Sequence, residues 1–267
     1  MLIAAGLLVM AIAYALGSRH GPSQPAARRT AFWVGWLSLV AALLGPLHEL
    51  AEHRFSAHMV QHTMLMTIAA PLVVLGRPVL VSLWALPVPL RRRVALHALP
   101  AAARAVAEMP AVAAFIVHTV AIWLWHAPPF YDASVRHEWI HALQHLSFLG
   151  SALIFWNSVL APRTRATGLG QGVLLVFATA AHTAVLGALI TLAPSPLYRV
   201  YVDGVGGRLT PLEDQQLAGL IMWVPAGLLY TAAGAALLVT WLKQTEARNA
   251  MRGFAAGAAL VLTVFAR

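Results

Sequence analysis

Long apolar runs, separated by short linkers that hold most of the charge, recur along this chain. A membrane span needs about 20 mainly apolar residues. On that scale the pattern predicts spans near 2–17, 31–47, 58–76, 111–125, 139–160, 170–193 and 215–242. A further apolar run, 253–266, reads either as a short eighth span or as a helix lying at the interface. The first run lacks a basic start and an A-x-A stop, so it is expected to be a transmembrane helix rather than a cleaved signal. The predicted fold is all-α: a polytopic membrane helix bundle of about seven transmembrane helices. It forms one integral membrane domain over 1–267. The stretch 77–110 is apolar, broken by proline and rich in arginine, which fits an amphipathic segment at the interface.

The charges sort by linker. Arg19, Arg28 and Arg29 lie in the first; Arg77, Arg91, Arg92, Arg93 and Arg104 in the third; Arg163 and Arg165 in the fifth; Lys243, Arg248 and Arg252 in the last. These alternate linkers carry 13 of the 18 Lys and Arg residues, so the positive-inside rule makes them cytoplasmic and puts the N-terminus outside. The acids take the other side: Glu49, Glu52, Asp132, Glu138, Asp203, Glu213 and Asp214, with only Glu108 and Glu246 inside.

Composition adds three constraints. The chain is 60% hydrophobic and 10% charged, with mean hydropathy +0.74; a soluble domain carries about a quarter charged residues. The net charge of +9 does not imply nucleic acid, because the arginines lie between apolar runs and not along one polar face. The absence of cysteine excludes thiolate and iron–sulfur sites, leaving His, Met, Asp and Glu as metal ligands.

The 12 histidines are the chemical signal. His58 and His62 are four apart at the start of the third predicted span, so they share a helix face, and Met66 extends that face by four more. A His-His-Met stripe suits copper, since imidazole and thioether both accept it. His137, His141 and His145 form a second stripe opening the fifth predicted span, and His126 ends the fourth. His118 and His182 are single histidines within spans, as readily explained by packing as by ligation. Asp214 opens the seventh predicted span, where a carboxylate favours the helix dipole; it could also orient a ligating imidazole. Met222 falls on roughly the same face as Asp214.

Three segments in order, 58–78 (HMVQHTMLMTIAAPLVVLGRP), 125–156 (WHAPPFYDASVRHEWIHALQHLSFLGSALIFW) and 195–230 (SPLYRVYVDGVGGRLTPLEDQQLAGLIMWVPAGLLY), resemble the CtaG family of cytochrome c oxidase assembly factors. The resemblance implies a multi-pass protein of the bacterial cytoplasmic membrane that is not an enzyme. Its partners would be cytochrome c oxidase subunits and the lipid bilayer, and its cargo copper. It points to His58, His62, His126, His141, His145, Asp214 and Met222 as important. With Met66 these give the candidate ligands, with Asp214, His137, His182 and His118 as supporting positions. Homo-oligomerisation is left open. Two other readings compete. Paired histidines on facing helices, such as His62 and His145, could hold haem. His137-Glu138-x-x-His141 has the form of a zinc hydrolase motif.

Overall fold

Helix is what this composition dictates once water is excluded, because an apolar chain in lipid must satisfy its backbone groups internally. The computed structural model describes residues 2–98, 109–160, 166–202 and 209–265, and among these there is no strand. Arg104, Glu108, Arg163, Arg165, Asp203 and Arg208 lie outside the described residues.

The order of elements is α1 (Leu2–His20), α2 (Ala26–Leu44), α3 (Pro46–His53), α4 (Phe55–Thr63), a π-helical turn (Met64–Ala69) and α5 (Ala70–Gly76). Short helices α6 (Pro78–Ser82) and α7 (Val88–Arg93) follow, then α8 (Ala111–His126), α9 (Pro128–Arg136), α10 (Glu138–Leu160), α11 (Ala166–Thr191) and α12 (Pro211–Phe265). Among the described residues, four helices are long and apolar enough to cross a membrane: α1, the α4–α5 run, α11 and α12. The count reaches six if each of two bent pairs is one span: α2 with α3 (45°) and α8 with α9 (75°). Both bends fall where proline follows, at Pro46 and at Pro128-Pro129.

The expected count of seven is therefore not reproduced. The missing one, 139–160, forms α10, whose 23 residues would suffice in length. Its first turns carry Glu138, His141, Gln144 and His145, which lower its apolarity. The run 253–265 is not set off by a turn. The backbone of α12 is helical without a break from Pro211 to Phe265, so 253–265 prolongs that helix and does not follow a turn.

Packing sets where the site falls. α12 packs along α11 and against α4, α10 packs against α5 and α8, and α2 lies along α5. Between them sits the main core, which includes Met59, Met66, Phe148, Phe155, Trp156, Met222 and Tyr230. The outer surface is apolar as well: Leu174 is 71% exposed and Leu192 76%, as a lipid-facing surface requires. At the α11–α12 crossing two backbones meet closely. A Cβ on Gly219 would lie 2.7 Å from the Gly187 carbonyl oxygen, the small-residue contact expected between helices in a bilayer. The start of α12 is fixed by a capping box, in which Thr210 N–H donates to Glu213 (2.7 Å) and Glu213 N–H to Thr210 Oγ1 (3.3 Å).

Candidate metal centre

The first turn of α4 has N–H groups with no partner inside the helix and no acidic residue of its own. Asp214 of α12 supplies the acceptor. It accepts from Phe55 N–H at 2.7 Å, from Ser56 N–H at 3.3 Å and from the Ser56 hydroxyl. This buried carboxylate locks the helix that carries His58 and His62 to the bundle. It does not hydrogen-bond an imidazole, so the orienting role expected of it is corrected to that of an anchor for α4.

Imidazoles from three helices, α4, α8 and α10, converge. The His58 ring lies 4.3 Å from His62, 5.0 Å from His141 and 5.9 Å from His145. His62 lies 5.2 Å from His145 and 6.3 Å from His126, and His141 lies 4.3 Å from His145. His58, His62 and His145 each offer a ring nitrogen, and these three atoms lie within 4.8 Å of one another. His58, His62, His126 and His145 are buried; His141 is half-buried.

Neighbouring groups fix which nitrogen is free. The Tyr201 hydroxyl donates to the Ala51 carbonyl oxygen (3.1 Å) and lies 3.0 Å from His58 Nδ1. With its one proton spent on Ala51, its oxygen accepts Nδ1–H from His58, which leaves a bare lone pair on His58 Nε2. Burial raises the ionisation of the Tyr198 and Tyr201 hydroxyls above the ordinary phenol value, so both stay neutral. In His126, Nδ1 faces the Ile122 carbonyl oxygen at 2.7 Å. A carbonyl can only accept, so Nδ1 carries the proton there too, and Nε2 is again bare. The Nε2 atoms of His58, His62, His126, His141 and His145 are all buried without a hydrogen-bond partner among the described residues. Such a group costs about 1–3 kcal/mol when left unmet, and five in one place match an electron-pair acceptor. Imidazole sets of this kind accept copper, zinc, iron or nickel.

The other predicted positions lie as follows. His137 is exposed and precedes α10 in extended conformation (φ −130°, ψ 114°). The stripe therefore begins at His141, and the H-E-x-x-H reading loses the helical turn that would place both histidines on one face. Met66 lies in the π turn, whose backbone pairs i→i+5. It is buried in the main core with Met222. His118 pairs with Ser151 (3.0 Å), while His182 faces Thr119 (3.2 Å) and Trp123 (3.3 Å). These hydrogen bonds join α8 to α10 and to α11, away from the cluster's own ring contacts, and His118 Nε2 is buried without a partner among the described residues.

The structure adds residues that spacing did not assign. His48 of α3 stacks on His141 with centroids 5.8 Å apart, and its Nδ1 lies 3.1 Å from Gln61 Nε2. Tyr201, 143 positions from His58, gives no local signal at all. Gln144 is fully buried beside His145 with both amide atoms unpartnered. Its position one residue before a buried histidine was the available hint. The Trp156 indole N–H donates to the Met66 carbonyl oxygen (2.8 Å), satisfying the backbone of the π turn.

Comparison with known proteins accords with the motifs. The uncharacterized protein ML1998 of Mycobacterium leprae (strain TN) is 27% identical over 257 residues, covering 91% of this chain and 39% of that protein. The chain thus spans well under half the length of that curated relative. No solved structure matches it. Residues 8–244, from α1 into α12, match the family model of the cytochrome c oxidase caa3 assembly factor, Caa3_CtaG, and the chain belongs to that family.

Proposed function

We propose that this protein receives copper at the outer face of the bacterial cytoplasmic membrane and passes it to cytochrome c oxidase during assembly. One observation carries the reading: five neighbouring imidazoles have buried Nε2 atoms without a partner among the described residues, and three of these residues have ring nitrogens within 4.8 Å of one another. Family membership supplies the oxidase. The chain has no cysteine and the cluster no carboxylate, so the ligand set is imidazole, with thioether from the adjoining core the remaining soft donor. With the N-terminus outside, as the linker arginines require, the cluster faces outward.

The rings form a ladder. His48 and His141 are half-buried; His58 and His145 lie next, then His62 and His126, all four buried. Neighbouring rings on this ladder are 4.3–6.3 Å apart, close enough for copper to exchange one imidazole for another. Entry at His48 and His141 and handover from the same end would need ligand exchange only. No acid or base is required, which supports a carrier and not an enzyme. Each ligand must be a neutral imidazole, and the Tyr201 and Ile122 hydrogen bonds select the tautomer of His58 and His126 that leaves Nε2 bare.

The haem reading finds no support. The His58 ring, 4.3 Å from His62 and 5.9 Å from His145, stands where a macrocycle between those two would have to lie. The test is complementation in a strain lacking this protein. Oxidase activity should return with the wild-type chain, fail with H58A/H62A, and be partly restored by excess copper. Full activity with H58A/H62A would overturn the carrier reading.

A further inference from the structure

A cavity of about 830 Å³ lies at the end of the bundle remote from the histidines. The first turn of α2, the end of α5 with the start of α6, and the last turns of α10 line it. α10 connects the two places. From His145 to Leu160 it runs 15 residues, roughly 22 Å. The walls are apolar, with Val74, Leu153, Ile154 and Leu160 among them, while Arg28 and Arg77 supply the charge.

We infer that this cavity binds an anionic phospholipid, with its phosphate on Arg28 and Arg77 and an acyl chain along the apolar wall. Four observations carry this. The cavity joins an apolar body to a cationic end, the shape of charge that a phospholipid complements. Arg28 is held in place by Gln24, whose Oε1 accepts from it at 2.6 Å. The Arg77 guanidinium has no hydrogen bond or ion pair among the described residues. Its backbone is the one non-glycine position described with positive φ (50°), a conformation that a bulky residue rarely keeps. The surroundings also select for negative charge. Arg19 and Arg91–Arg93 lie at this end. The carboxylates Glu49, Glu52, Asp132, Glu138, Glu213 and Asp214 lie at the other, and among the described residues Glu246 alone accompanies the arginines. Basic pockets between membrane helices recognise anionic headgroups in this way.

The test uses the full chain in detergent micelles and native mass spectrometry. Phosphatidylglycerol and phosphatidylcholine with the same acyl chains are titrated in turn. Phosphatidylglycerol should bind roughly tenfold more tightly or better, the scale of two basic side chains at a lipid surface. R28Q/R77Q should remove that preference, and I154W, which fills the cavity and leaves the charge, should weaken phosphatidylglycerol binding. R29Q, next to the site, should behave as wild type. Equal binding of the two lipids, unchanged binding in R28Q/R77Q, or an equal loss in R29Q would overturn the proposal. Displacement of the lipid by millimolar inorganic phosphate would overturn it in favour of a free anion. Thermal melting of each variant separates loss of the site from loss of the fold.

Discussion

The Tyr201 hydroxyl lies 3.0 Å from His58 Nδ1 and donates its proton to the Ala51 carbonyl oxygen. One phenol thereby closes the C-terminal end of α3 and sets the tautomer of an imidazole in α4. Replacing it with phenylalanine keeps the ring in the core but frees the tautomer. Such partners of metal-ligating histidines typically contribute 10–100-fold to affinity. Y201F should weaken copper binding by about that factor, measured by competition with a chelator, while the helical circular dichroism is unchanged. Unchanged affinity would show that the tautomer is set elsewhere.

Asp214 joins the starts of α4 and α12 through three hydrogen bonds. D214A leaves two buried N–H groups and a hydroxyl unmet. Each costs about 1–3 kcal/mol, so the melting temperature in detergent should fall clearly. D214N, which keeps one carbonyl acceptor, should fall less.

At Gly219 an added Cβ would lie 2.7 Å from both the Thr191 nitrogen and the Gly187 carbonyl oxygen, which are backbone atoms that cannot rotate away. G219A should therefore destabilise by about 1–3 kcal/mol, the usual cost of overpacking. Thermal unfolding checks it. Gly150 meets nothing within 4 Å, so G150A serves as the neutral control.

Alkaline pH gives a further test. Tyr198 and Tyr201 are held neutral by burial above the ordinary phenol value, near 10. The unfolded chain ionises first, so their contribution is intact below about pH 10 and is lost as pH rises toward the folded values. The melting temperature should be flat near pH 8–9 and decline above about 10. Y198F should shallow that decline.

Much of this was legible in the sequence because its causes are local. Apolar length fixed most helices, and four-residue spacing brought His58 beside His62 and His141 beside His145. The failures share a physical origin in geometry that spacing cannot carry. The extended backbone at His137 starts the second stripe one turn late. Asp214 serves a helix that begins 159 positions away, and His48 reaches His141 from across the bundle. Those are facts of packing, visible only once the helices are assembled.

The central claim is tested most directly by the metal content and visible spectrum of the detergent-purified chain, beside H58A/H62A/H145A. The account predicts near-stoichiometric copper without a Soret band, an X-ray absorption edge with imidazole scatterers, and loss of copper in the variant. Equal copper in both proteins, none in the wild type after loading, or a Soret band would contradict it.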